Sequence, residues 1–145
     1  MGRFESISVI TTPGCNQCAI LLKDLIPLAH KYNLQISHMV AKEVVRITNK
    51  GMIGTGDIRL YKDGSFYAAF PEHLPKEFPI LIYGQRYTMV GGDSCKALKY
   101  ILEADAGNQK SIEQLIDEGH TNIDQVIKDY ESTPGTSSIY KNTLL

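Results

Sequence analysis

The chain has 145 residues, a formal net charge of −1 and hydrophobic residues at 43%, which suits one compact domain with an appendage and is too short for two full domains. A charge this near zero supplies no bulk field toward nucleic acid or an acidic membrane, and no apolar run is long enough to cross a bilayer. Three cysteines, an odd number, argue against a secreted disulfide framework, so the cytoplasm is the expected compartment.

The opening MGRFES formally fits a myristoylation pattern, but it reads first as an ordinary start before a strand. SISVIT (6–11) is short and β-rich, the pattern of a buried strand. Pro13 and Gly14 break it, and from 15 to 32 apolar residues recur at helical spacing: Cys18, Leu21, Leu22, Leu25, Leu28, Ala29 and Tyr32. Pro27 removes one amide donor inside that pattern, which predicts a kink or an early break. LQISHMVA (34–41) alternates as a second strand. Strand, helix and strand with short connections predict a parallel crossover, right-handed as such units are.

The middle of the chain is less definite. KEVVRITNKG suits a short helix or a strand, and MIGTGD reads as a glycine-rich linker because it lacks the Lys-Ser/Thr of a phosphate loop. DIRLYKDGSFYAAF predicts a hairpin turning at Asp63-Gly64, with Tyr61 and Tyr67 in cross-strand packing. A proline-punctuated loop follows, then a strand pair turning at Gly84-Gln85, then a helix over 93–104 opened by Asp93 as its cap. SIEQLIDEGH and TNIDQVIKDY suggest two short helices opened by Ser111 and Thr121. The last stretch, 132–145, is polar and proline-broken and is expected to lack structure.

The chemistry lies in PGCNQC. A lone C-x-x-C could belong to a structural zinc site, but such a site needs four ligands, so Cys95 and a histidine would have to join. As a structural disulfide it would close too short a loop to stabilise much. Thiol–disulfide exchange fits best. A thiol attacks as thiolate, and free cysteine titrates near 8.5, so only a few per cent is reactive at neutral pH. A cysteine at a helix start faces unpaired amides and the positive end of the dipole, which favour the anion. Cys15 is therefore expected to be the exposed attacking sulfur, and Cys18, one turn inside, the buried resolving one. Cys95 reads as a small packed residue and His38 as an edge or half-buried side chain. His30, His73 and His120 have no spacing that suggests a nucleophile pair or a metal.

These pieces, in this order, resemble a glutaredoxin within the broader thioredoxin-fold group. Three motifs carry the likeness over about residues 5–105, with a gap in the middle: the C-x-x-C, Pro79 opening a later strand, and GGDS at 91–94 before the last helix. The implied fold is α/β and thioredoxin-like, a mixed sheet flanked by helices over residues 1–106. It would carry a β-hairpin insertion at about 42–76, with a helical extension at 107–131 outside the matched region.

The resemblance implies a thiol–disulfide oxidoreductase acting through Cys15 and Cys18 on protein disulfides or glutathione mixed disulfides. It would act in electron transport, with ribonucleotide reductase a candidate client. No resident cofactor, nucleic acid or membrane is implied, and glutathione is the expected co-substrate. Pro79 would be cis, and Phe78 would pair its backbone with the substrate. Gly91, Gly92, Asp93 and Ser94 would bind a γ-glutamyl carboxylate, and Thr12, Asn16 and Gln17 would complete the substrate site. Asn16-Gln17 replaces the family's frequent Pro-Tyr. Thr12 stands where a lysine usually clamps glutathione's glycine carboxylate, with Lys50, Arg59 and Lys62 as candidate replacements. The alternative is a non-catalytic thioredoxin-fold binding module, with a metal or iron–sulfur cluster on the cysteines.

Overall fold

Alternation along the strands builds two separate cores. In the computed structural model, which describes residues 6–42, 45–48, 51–54, 57–84, 87–123, 125–127 and 138–141, the first strand is β1 (Ser6–Thr11). Its Ile7 and Val9 enter one apolar cluster and its Ile10 another. The strand β8 (Ile80–Tyr83) repeats the device: Leu81 and Tyr83 join Ile7, while Ile80 and Ile82 join Ile10. Successive side chains of a strand point to opposite faces, so both faces of the sheet are covered.

The remaining elements are α1 (Asn16–Tyr32), β2 (Gln35–Lys42), β3 (Val45–Thr48), β4 (Gly51–Gly54), β5 (Arg59–Lys62), β6 (Ser65–Ala69), β7 (Glu77–Phe78), β9 (Tyr87–Val90), α2 (Ser94–Asp105), α3 (Ile112–Asp117) and β10 (Ser138–Lys141). A seven-stranded mixed sheet runs β10-β9-β8-β1-β2-β5-β6, and a three-stranded sheet runs β3-β4-β7. β1 and β2 are parallel, as the crossover predicts, and β1 pairs antiparallel with β8. The first core lies between the sheet and Leu21 and Leu25 of α1, Ala97, Leu98 and Ile101 of α2, and Ile112 and Leu115 of α3.

Several expectations change. The mixed sheet with helices is present, and the helices pack mainly in the first cluster, with Cys18 of α1 in the second. The other face is covered by Ile58, Leu60, Phe70, Leu74 and Phe78, a β-rich segment whose hairpin lengthens the sheet next to β2. Helix α1 runs unbroken through Pro27. Both Pro27 and Lys23, whose carbonyl loses its partner, are exposed, so water can satisfy the freed group. The undecided segment forms β3, and the expected linker contributes β4, which pairs with β3 and β7. The Asp63-Gly64 turn forms as predicted, with both φ angles positive at 54° and 83°.

β8 and β9 pair as predicted, whereas Gln85, like Lys50 and residues 1–5, lies outside the described residues. Asp93 occupies the α2 cap position, but its side chain makes no cap hydrogen bond. Ser111 caps α3 through a capping box with Gln114. For the second short helix the cap is Asn122 instead of Thr121: its Oδ1 accepts from the Gln125 amide at 3.1 Å. Within the tail expected to lack structure, Ser138–Lys141 pairs with β9; the rest of 132–145 lies outside the described residues. The extension is no appendage, because Ile112, Leu115 and Ile127 are buried in the main core.

Candidate dithiol site

β1 ends at Thr11, Thr12 follows it, both are buried, and the chain turns through exposed Pro13 and Gly14 into α1. The Thr12 hydroxyl donates to the Ala41 carbonyl at 2.9 Å and ties this turn to β2. Its polar atom thus anchors the backbone at the position where the resemblance expects a substrate contact. Cys15 is the N-cap of α1, in extended conformation, and the Cys18 amide donates to its sulfur at 3.1 Å. A sulfur replaces the usual Ser or Asp oxygen as the cap acceptor. Cys15 and Cys18 lie at disulfide distance, with their Cα atoms 5.2 Å apart.

Exposure corrects one expectation. Cys18 is the more buried, at 3%, but Cys15 is buried as well, at 8%. Both pack in the second core with Phe70, Leu74 and Phe78. The insertion therefore folds over the pair, which the sequence pattern of the helix start does not reveal. Asn16 and Gln17, between the cysteines, are exposed.

The three motifs converge. The Phe78-Pro79 bond is cis. The Pro79 carbonyl accepts the Gly91 amide at 3.0 Å, joining this proline to the GGDS turn. Gly91 has φ +118°, a region that favours glycine, whereas Gly92 is needed for close approach: a Cβ there would run into the Gln17 side chain and lie 3.0 Å from its carbonyl oxygen. The turn thus sits against the first turn of α1, beside the cysteines.

Two expected donors are engaged inside the turn. The Ser94 amide and hydroxyl both donate to the Gly91 carbonyl, at 3.2 and 2.7 Å. With the Gly91 amide on Pro79, a carboxylate subsite in this turn loses both the Gly91 and the Ser94 amide. Phe78 is buried, and β4 lies against it through the Met52–Phe78 pair, so one lateral place beside its backbone is already taken by this chain.

Cys95 is a packed side chain, as expected. Its thiol donates to the Leu21 carbonyl at 3.7 Å, and burial, with Asp24 adding a smaller effect, pushes its pKa up to about 12. Among the described residues, no group of three or more His, Cys, Asp or Glu is placed to hold a metal. His38 is exposed on β2, with Nε2 2.7 Å from the Thr11 hydroxyl oxygen, and partial desolvation lowers its pKa. Tyr61 meets Phe66 across the hairpin in an edge contact at 6.0 Å, while Tyr67 lies exposed with the Lys62 ammonium 5.8 Å from its ring centre. No helix among the described residues is long and apolar enough to cross a membrane. No family model, curated protein or solved structure matches the chain.

Proposed function

We propose that the protein is a thiol–disulfide oxidoreductase of glutaredoxin type on a thioredoxin-like fold, working in a reducing compartment such as the cytoplasm. The observation that carries this reading is the Cys15–Cys18 pair at the start of α1, with the Cys18 amide aimed at the Cys15 sulfur. An amide at 3.1 Å and the helix dipole both favour charge on that sulfur. The cis Phe78-Pro79 bond and the GGDS turn beside α1 support the same reading.

In the reaction, the Cys15 thiolate attacks one sulfur of a client disulfide. The other client sulfur leaves as thiolate and takes a proton from water. Cys18 then loses its proton and attacks the Cys15 sulfur of the mixed disulfide, releasing the second client thiol. The client gains two electrons and two protons, and the pair closes to a disulfide. A thiol reductant, with glutathione the candidate, reopens it. Protein disulfides and glutathione mixed disulfides are the substrate class, with ribonucleotide reductase a candidate client by resemblance.

The test is substitution. Cys15→Ser should abolish reduction of every disulfide, while Cys18→Ser should trap protein clients as mixed disulfides seen by mass spectrometry. Retained turnover in Cys15→Ser would overturn the reading. The burial of Cys15 at 8% favours a second reading, a non-catalytic binding module in which the pair is structural; inertness of both thiols toward 2-hydroxyethyl disulfide would support it.

A further inference from the structure

β6 closes one end of the seven-stranded sheet, so among the described residues no strand pairs with its outer side. Edge strands are usually guarded by charge, proline or a bulge turned outward. This one shifts register against β5 between Leu60 and Tyr61, yet it still presents Phe66 and Tyr67, at 58% and 59% exposure. Beside it opens a cavity of about 600 Å³ whose apolar lining is Ile58, Phe66, Ala69 and Phe70. Its charged lining is of both signs, with Asp57 and Glu72 against Arg59 and Lys76. Ligand pockets range from about 300 to 1,000 Å³, and this one lies inside that range.

The cavity borders the apolar cluster that holds the dithiol. Ile58 and Phe70 also belong to the cluster that encloses Cys15 and Cys18, and the Phe70 ring meets Phe78 at 5.7 Å. We propose that the cavity and the β6 edge form a recognition site for an extended peptide segment, with an apolar or aromatic side chain seated between a basic and an acidic residue. The segment's identity as part of a disulfide client rests on the thiol-exchange reading; its binding does not.

The chemistry favours a peptide over other occupants. An open strand edge offers backbone donors and acceptors to an added strand, while pockets for side chains give specificity. Aromatic surface with the Arg59 guanidinium 6.0 Å from the Phe66 ring centre suits a planar side chain with an acidic neighbour. The two carboxylates and two cations lining the cavity balance, so they give a uniform polyanion no net attraction and single-stranded nucleic acid fits poorly. They suit a segment that carries both charges.

The probe is the fluorescein-labelled, cysteine-free peptide Ser-Val-Lys-Phe-Glu-Val-Thr-Ser, titrated by anisotropy against the oxidised full chain. Saturable binding is expected, at least tenfold weaker when serine replaces the peptide's phenylalanine. Ala69→Trp, which fills the cavity from an exposed strand position, should weaken binding at least tenfold. Phe66→Ala, which removes an exposed part of the lining, should act in the same direction. Both variants should reduce 2-hydroxyethyl disulfide within twofold of the parent. Equal binding by parent and both variants, or no saturable binding by the parent, overturns the proposal. So does displacement of the peptide by an equal concentration of oligothymidine. Intact peptide binding in a parent that fails to reduce 2-hydroxyethyl disulfide would refute the reaction and leave the docking site standing.

Discussion

Cys95 and Cys15 are equally buried, at 8%, but meet opposite backbone dipoles. Cys95 faces the Leu21 carbonyl and is desolvated, which disfavours its thiolate, whereas Cys15 receives an amide donor at a helix start. With a pKa of about 12, roughly one part in ten thousand of Cys95 is ionised at pH 8. Brief alkylation of the reduced native protein at that pH should therefore leave Cys95 unmodified, and Cys95 should react only after denaturation. Modification of native Cys95 at the rate of a free thiol would show that its packing is wrong. His38 gives a residue-scale dependence of different origin. Its pKa is lowered in the fold by desolvation, so the unfolded chain binds the proton more readily. The associated stability is fully present above about pH 6.5 and is lost as pH falls through the lower folded value. The ring is exposed, which keeps the effect small. The drop in melting temperature from pH 7.5 to 5.5 should be smaller in His38→Gln than in the parent. An equal drop would assign the acid sensitivity elsewhere.

At the scale of elements, the joint between α1 and the GGDS turn is the tightest constraint on the site. Gly92→Ala places a Cβ against Gln17. Overpacking of this kind typically costs about 1–3 kcal/mol. Shortening the neighbour with Gln17→Ala should recover part of that loss, because the side-chain overlap is relieved while the carbonyl at 3.0 Å remains. Urea unfolding of the two single variants and the double variant measures the coupling; strict additivity would mean that the two residues do not touch. Much at this scale is legible in the sequence. The strand, helix and strand of residues 6–42 follow from apolar spacing, and Asp63-Gly64 fixes a hairpin because its turn needs two positive φ angles. β4 was not legible, because its ends are Gly51 and Gly54 and its pairing to β7 depends on residues some 25 positions away. The burial of Cys15 was hidden for the same reason: the cluster it packs in includes Phe70, Leu74 and Phe78, far along the chain.

For the molecule as a whole, the boundary near residue 106 suggested by the motifs is not a boundary of the core. Ile112, Leu115 and Ile127 are 3–5% exposed, the Tyr87 hydroxyl donates to Glu113 at 2.6 Å, and the Tyr100 hydroxyl donates to the Lys110 carbonyl at 2.9 Å. Burying an aliphatic side chain contributes about 1.5–3 kcal/mol. Deleting residues 107–145 should therefore cost on the order of 5 kcal/mol, comparable to the whole stability of a small domain at about 5–15 kcal/mol. A truncated chain should unfold at markedly lower urea; a midpoint equal to the parent's would return the extension to the status of an appendage. The extension's apolar spacing was visible in the sequence, but not its packing partner, since amphipathicity marks a buried face without naming what buries it. The proposed thiol exchange depends on a more local balance, the unequal character of two sulfurs three residues apart. The most direct measurement is the alkylation rate of each thiol in the reduced protein as a function of pH, resolved by mass spectrometry. Cys15 should react faster than Cys18 at neutral pH, with a midpoint below the value of about 8.5 for free cysteine. A faster Cys18, or a Cys15 midpoint at or above 8.5, would contradict the assignment of Cys15 as the attacking sulfur.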